Sequence, residues 1–97
     1  MMNEILVSAC IITYNHDAYI EKCIISALNQ KINCNYEIVI GDDFSSDKTS
    51  EICKKYAEKF PKLIKYYRRE NNIGMIGNWL ETINNCNGKY ISLCEGD

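Results

Sequence analysis

Four short apolar segments alternate with three helical patterns along this chain, and this alternation constrains the fold more than any other feature. The first segment, residues 5–12, is almost continuously apolar, as expected for a strand that is covered on both faces. The other predicted strands are residues 36–40, 62–68 and 90–94. The order β-α-β-α-β-α-β with short connections predicts an α/β fold. We expect an open, mainly parallel sheet with helices on both faces and the strand order 3-2-1-4.

The three intervening segments repeat apolar residues at helical spacing. Residues 17–29 carry two neighbouring rows of apolar side chains that are four positions apart. A second helix follows residue 48 and stops at Pro61, which cannot continue it. A third helix is expected to end near Asn87 and Gly88. The row of this third helix that is expected to face the core consists of Ile76, Leu80 and Ile83, with Trp79 beside it.

The second predicted strand breaks abruptly into two adjacent carboxylates, Asp42 and Asp43. In an open α/β sheet the ligand crevice lies outside the carboxyl ends of the strands, so both carboxylates are candidates for ligand binding. The alternative is that one of them caps the following helix. Ser45, Ser46 and Asp47 already supply enough caps. A ligand role for at least one of the two carboxylates is therefore the stronger interpretation.

All four predicted strands end in polar residues that would meet at one edge of a parallel sheet. These ends are Thr13-Tyr14-Asn15, Asp42-Asp43, Arg68-Arg69-Glu70 and Glu95-Gly96-Asp97. The sequence stops at the fourth of them, and a domain rarely ends at a strand tip that faces its own site. We therefore expect residues 1–97 to be the amino-terminal part of a longer single domain.

Composition and charge favour no macromolecular partner of opposite charge. The formal net charge is −2, with 11 Lys and Arg against 13 Asp and Glu, so nucleic acid is not an expected partner. The cations concentrate in residues 54–69, where a solvated face is expected, although an anionic membrane surface or a phosphate is an alternative. No apolar run approaches the ~20 residues needed to span a bilayer. We predict a cytoplasmic location without a transmembrane segment.

The six cysteines do not follow the spacing of a metal or redox motif. No secretory signal precedes them, and no pair has CxxC spacing. Five fall within apolar patterns: Cys10, Cys23, Cys53, Cys86 and Cys94. We therefore predict buried thiols in a reducing compartment, with neither zinc nor a redox role.

A short motif follows or adjoins each predicted strand. The motifs are Ile12-Thr13-Tyr14-Asn15, Asp42-Asp43-x-Ser45-x-Asp47-x-Thr49, Glu70-Asn71-Asn72-Ile73-Gly74, and Gly88-Lys89-Tyr90-Ile91 leading to Glu95-Gly96-Asp97. In this order the chain resembles, over essentially its whole length, the nucleotide-sugar-binding half of the family 2 glycosyltransferases with the GT-A fold. The resemblance implies an enzyme of polysaccharide biosynthesis. Such an enzyme transfers a sugar from a nucleoside-diphosphate sugar, most often a UDP-sugar, to a carbohydrate or lipid-linked acceptor.

The resemblance also implies roles for individual residues. Tyr14 would stack on or flank the nucleobase, and Asp43 would accept a hydrogen bond from it. An aromatic ring beside a carboxylate suits a pyrimidine, which offers a face and an N–H edge; stacking contributes about 1–3 kcal/mol per base. The remaining nucleotide-binding candidates are Thr13, Asn15 and Asp42.

The resemblance further implies a divalent metal, Mn²⁺ or Mg²⁺, held by Asp97 and Glu95 together with donor phosphates. The family often has Asp where this chain has Glu95, so Asp97 is the stronger ligand candidate. No catalytic base is identifiable, and His16 is not proposed as one. A lone His after a strand is most often part of a solvated loop, and the pattern gives it no partner. Peripheral membrane association of the longer protein is compatible with this interpretation.

Three alternatives compete with a transferase. A phospho-receiver module also gathers carboxylates at strand ends, but its acidic pair should follow the first strand rather than the second. A dinucleotide-binding half would need a glycine-rich turn after the first strand, and residues 13–16 contain no glycine. The third alternative is that the 97 residues bind nucleotide but are catalytically inert by themselves.

Overall fold

The computed structural model describes residues 4–30 and 33–96 and confirms the predicted α/β order. Its strands are β1 (Val7–Thr13), β2 (Tyr36–Asp42), β3 (Ile64–Arg68) and β4 (Tyr90–Glu95). Its helices are α1 (Ile20–Leu28), α2 (Thr49–Lys59) and α3 (Met75–Asn84). The strands form one sheet in the order β3-β2-β1-β4, and every neighbouring pair is parallel, as predicted.

The two central strands direct alternate residues to opposite faces of the sheet. One face forms the apolar core with α1 and α2. From the strands it receives Ala9, Ile11, Ile38, Ile40 and Ile64. The neighbouring positions face α3 and the loop that follows it: Glu37 accepts the backbone N–H of Asn87, and the Gly41 carbonyl accepts a side-chain N–H of Asn78. Helices therefore cover both faces, as the sequence predicts.

The contact between α3 and the sheet is polar, and this corrects the predicted core row. Ile76 and Leu80 are 73% and 63% exposed, whereas Asn78 and Thr82 are buried. Trp79 is only half-buried. Asn78 donates to the Gly41 carbonyl at 2.9 Å, and a Cβ at Gly41 would collide with the Thr82 hydroxyl. A polar side of α3 thus approaches the backbone of β2 closely, and the apolar row turns outward.

The prediction of buried thiols is wrong for the edge of the sheet. Cys10 and Cys53 are buried, and desolvation, with a smaller contribution from Cys86, raises the pKa of the Cys10 thiol to about 12. Cys94, in contrast, is exposed, as is every other residue of β4. The reason is that β4 is the last strand of the sheet, and the described elements cover its faces only in part. None of the helices in the described ranges has the length and hydropathy to cross a bilayer.

Candidate functional site

A cleft of about 310 Å³ lies at the carboxyl ends of β1, β2 and β4. Four of the predicted site residues line it: Thr13, Tyr14, Asp43 and Glu95. The predicted meeting of strand ends is confirmed for these residues. Asp97 lies outside the described residues. Met75 and Asn78 of α3 also line the cleft. They were not predicted from the sequence, because the helical spacing of apolar residues in α3 indicated a different side of the helix as the one that contacts the sheet.

Asp43 organises the turn that follows β3. Its carboxylate is almost fully buried, and its two oxygens accept the backbone N–H groups of Ile73 at 2.8 Å and Gly74 at 2.9 Å. The Asn72 side chain donates to the Asp43 carbonyl at 3.2 Å. A carboxylate offers about four acceptor positions, so two remain for a ligand in the cleft. Asp43 can therefore hold the turn and bind a ligand at the same time.

Asp42 lies beneath the site rather than in the cleft. It is fully buried, and one oxygen accepts the backbone N–H and the hydroxyl of Ser45 at 3.0 and 2.6 Å. The other oxygen accepts the hydroxyls of Ser50 at 2.7 Å and Tyr66 at 2.6 Å. Burial, and next the hydrogen bond to Asp42, raise the pKa of Tyr66. Asp42 thus joins β2, α2 and β3, and the two adjacent carboxylates have different surroundings.

His16 has a partner, which corrects the expectation of an isolated loop residue. Its Nδ1 lies 2.9 Å from the Thr13 hydroxyl and also accepts the backbone N–H of Tyr14 at 3.4 Å. A backbone N–H only donates, so this contact favours the ring tautomer with its hydrogen on Nε2. His16 lines the cleft as well. The only signal for this contact in the sequence is a hydroxyl three positions before His16.

The end of β4 lies directly against Thr13 and His16. A Cβ at Gly96 would come within 2.7 Å of the Thr13 hydroxyl and 3.0 Å of His16 Nδ1, and the Gly96 N–H donates to the Ile12 carbonyl at 2.8 Å. This approach places the exposed Glu95 at the cleft. Within residues 4–30 and 33–96 no group of three or more His, Cys, Asp or Glu side chains forms a metal site. Glu95 supplies one carboxylate of the type that Mg²⁺ and Mn²⁺ prefer.

Tyr14 and Asn15 are adjacent but have different surroundings. Tyr14 is 46% exposed and lines the cleft. Asn15 has a positive φ of 54° and does not line it. Its N–H donates to the Ser45 hydroxyl at 3.0 Å, and its side-chain oxygen accepts the N–H of Ser46 at 2.8 Å. The His16 N–H likewise donates to the hydroxyl of Thr49. Asn15 therefore fastens the loop after β1 to the loop after β2.

The two arginines at the end of β3 support the loops and do not line the cleft. The Arg69 side chain is only 10% exposed, which corrects the solvated face expected over residues 54–69 at this position. It donates to Asn78, Glu81 and Thr82 at 3.0, 3.1 and 2.9 Å. The Arg68 guanidinium lies 4.3 Å from the centre of the Phe44 ring, and it donates to the Ser45 carbonyl at 3.1 Å. Phe44 itself has a positive φ of 66°, so Arg68 packs over a strained part of the acidic loop.

Several known proteins are similar to this chain. An uncharacterized protein of Mycobacterium tuberculosis is 35% identical over 86 residues, which are 89% of this chain and 25% of the relative. The abequosyltransferase of Salmonella typhimurium is 37% identical over 88% of this chain and 26% of its own length. An uncharacterized glycosyltransferase of Mycoplasma pneumoniae is 34% identical over 94% of this chain and 31% of its own length. The chain thus spans about a quarter to a third of these relatives.

The family comparison agrees with the fold and with the named relatives. The model of glycosyl transferase family 2 matches residues 8–97, which include every residue of the cleft and all four strands except Val7, the first residue of β1. A parallel sheet in the order β3-β2-β1-β4 is the α/β fold expected for a GT-A transferase. The chain therefore belongs to glycosyl transferase family 2.

Proposed function

We propose that the cleft binds the nucleotide of a UDP-sugar and that residues 1–97 are the amino-terminal nucleotide-sugar-binding part of a single glycosyltransferase domain. In this proposal the protein transfers the sugar to a carbohydrate or lipid-linked acceptor. Family membership favours a transferase over a phospho-receiver module. One relative is a minor teichoic acid biosynthesis protein of Bacillus subtilis, which supports a role in polysaccharide biosynthesis.

One observation carries the proposal: the exposed ring of Tyr14 and the carboxylate of Asp43 line the same cleft. A ring can stack on a base, and a carboxylate can accept the base N–H. Asp43 is held by two backbone N–H groups, so its position is fixed before a ligand arrives. Little conformational freedom of the Asp43 side chain would then be lost on binding. A uracil base, which offers a flat ring face for stacking and one imide N–H, matches this pair.

The remaining predicted nucleotide residues divide by their contacts. Thr13 lines the cleft, and its hydroxyl contacts His16, so we assign this pair to the donor site. Asn15 and Asp42 are assigned positioning roles, because their polar atoms are engaged in holding the two loops. We assign no catalytic base within this chain.

Glu95, with Asp97, would hold Mn²⁺ or Mg²⁺ in this proposal. Glu95 lies at the cleft and offers the hard oxygen ligand that these cations take, and donor phosphates supply further oxygens. When bound, the metal would neutralise charge on the departing diphosphate. We also propose a cytoplasmic location and, for a lipid-linked acceptor, peripheral association with a membrane. Six cysteines without CxxC spacing suit a reducing compartment.

Calorimetric titration of UDP in the presence of Mn²⁺ tests the donor site. We expect Tyr14→Ala to weaken binding about tenfold, since stacking contributes about 1–3 kcal/mol. Tyr90→Ala is the matched control. Tyr90 is also exposed, but it lies at the amino-terminal end of β4, whereas the cleft lies at the carboxyl ends of the strands. Equal affinity of the Tyr14→Ala variant and the wild type would overturn the proposed base contact. Binding of UDP without sugar transfer would favour the alternative of a binding part that is inert by itself.

A further inference from the structure

Two cysteines that are distant in sequence lie side by side at the edge of the sheet. Cys23 of α1 and Cys94 of β4 are separated by 71 positions, yet their sulfur atoms lie 3.5 Å apart. Both thiols also lie near the carbonyl oxygen of Glu95, at 3.7 and 3.3 Å. A disulfide has an S–S length of about 2.05 Å, so the pair is a dithiol at contact distance. Small changes in the two side chains would bring the sulfur atoms within bonding distance.

The pair is accessible to a small reactant. A groove of about 320 Å³ runs between α1 and β4, and both sulfur-bearing residues line it. Cys94 is exposed, and Cys23 is half-buried. Lys22 also lines the groove and offers a cation to an anionic reactant. The groove shares no lining residue with the nucleotide cleft, so it is a separate feature of the surface.

The buried cysteines lack this access. Cys10 and Cys53 are fully buried, and burial raises the pKa of both thiols, to about 12 for Cys10. A thiol must lose its proton to attack a disulfide, and it must also be reached by one. Oxidation by a small disulfide should therefore select the pair at the groove over the buried residues.

We propose that Cys23 and Cys94 are a reversible disulfide site that reacts with a low-molecular-weight disulfide such as oxidised glutathione. In the first step the thiolate of Cys94 attacks one glutathione sulfur, a mixed disulfide forms, and one glutathione thiolate leaves. The thiolate of Cys23 then attacks Cys94 Sγ, and the second glutathione leaves. The two protein thiols are oxidised by two electrons, the small disulfide is reduced to two thiols, and the two protein protons pass to them.

This bond would fasten α1 to the carboxyl end of β4. It would close a loop between positions that are 71 apart, which restricts the unfolded chain strongly. We expect the oxidised protein to melt about 10 °C or more above the reduced protein. The bond would also fix the residue that directly precedes Glu95. Its formation does not depend on the proposed donor site.

Peptide mapping under native conditions tests the site. The folded protein is incubated with oxidised glutathione, remaining thiols are blocked with an alkylating reagent, and the protein is digested with trypsin. The sequence places each cysteine in a different tryptic peptide, with Cys23 in residues 23–31 and Cys94 in residues 90–97. We expect these two peptides to be joined, the joined species to lack two hydrogen atoms, and dithiothreitol to separate them.

Two cysteine variants test whether the cross-link involves Cys94. Cys94→Ser should abolish the cross-link and the rise in melting temperature, whereas Cys34→Ser should retain both. Cys94 is exposed, so its replacement by the isosteric serine should leave the fold intact. The proposal is overturned if Cys94 retains glutathione without forming the cross-link, if Cys23 pairs with Cys53 instead, or if both thiols remain reduced.

Discussion

Replacing Asp42 with alanine should destabilise the fold, although Asp42 does not contact the nucleotide in the proposed site. The carboxylate is fully buried and accepts four hydrogen bonds, from the backbone and hydroxyl of Ser45 and the hydroxyls of Ser50 and Tyr66. Three of these donors are hydroxyls that can turn to other acceptors. The Ser45 N–H cannot, and a buried unsatisfied donor costs about 1–3 kcal/mol. With the other charged bonds also lost, we expect the free energy of unfolding to fall by about 3–5 kcal/mol.

Asp42→Asn is the matched control for this substitution. The amide keeps one oxygen for the Ser45 N–H, and its NH₂ group can donate to the hydroxyl oxygens of Ser50 and Tyr66. We therefore expect a loss of only about 1–2 kcal/mol, since neutral hydrogen bonds replace charged ones. Urea unfolding, followed by far-UV circular dichroism and by Trp79 fluorescence, gives both values.

Nucleotide binding separates the structural role from a ligand role. Asp42 does not line the cleft, so the folded Asp42→Asn variant should bind UDP with the affinity of the wild type. A loss below about 1 kcal/mol for Asp42→Ala would contradict the role of its hydrogen bonds. A stable Asp42→Asn protein that no longer binds UDP would show that Asp42, not only Asp43, reaches the ligand.

Three further predictions concern the residues around the acidic loop. The pKa of Tyr66 is raised in the folded protein, so its hydroxyl contributes its full stability below about pH 10 and loses it as the pH rises through the folded pKa. Tyr66→Phe should thus cost about 1.5–3 kcal/mol at pH 7 and less above pH 10, as urea unfolding at both pH values would reveal. Gly41→Ala should cost about 1–3 kcal/mol in the same assay, because the new Cβ would collide with the Thr82 hydroxyl. Asp43→Asn should weaken UDP binding about tenfold in calorimetry and should also lower the melting temperature. The reason is that the NH₂ group of the new amide would face the backbone N–H of either Ile73 or Gly74, and two donors cannot pair.

The arrangement of the sheet was predictable because apolar runs and short connections leave few topologies. Right-handed crossovers between parallel strands account for the strand order and the strand direction. They also bring Tyr14 and Asp43 to the same edge of the sheet. The acidic loop was also visible in the sequence, since two carboxylates follow a buried strand. These features depend on the chain pattern and not on individual contacts.

The different roles of the site residues were not predictable, because they depend on contacts between residues that are distant in sequence. Asp42 and Asp43 are adjacent and chemically identical, yet alternation along β2 buries one beneath the loops and brings the other to the cleft. Helical spacing also failed for α3, where apolar residues such as Ile76 face outward and Asn78 meets the sheet. The absence of a Cβ at Gly41 permits that approach, and no local pattern reports it.

The proposed transferase function depends most on the binding of a uridine nucleotide in the cleft. Backbone amide NMR of the labelled protein, titrated with UDP and Mg²⁺, tests this directly. The N–H groups of Ile73 and Gly74 donate to the Asp43 carboxylate, and that of Tyr14 points to His16, so all three report on the cleft. We predict that these resonances shift together and saturate with one affinity. Shifts confined to the groove around Cys23, or no shift in any of these three resonances as UDP is added, would contradict this prediction.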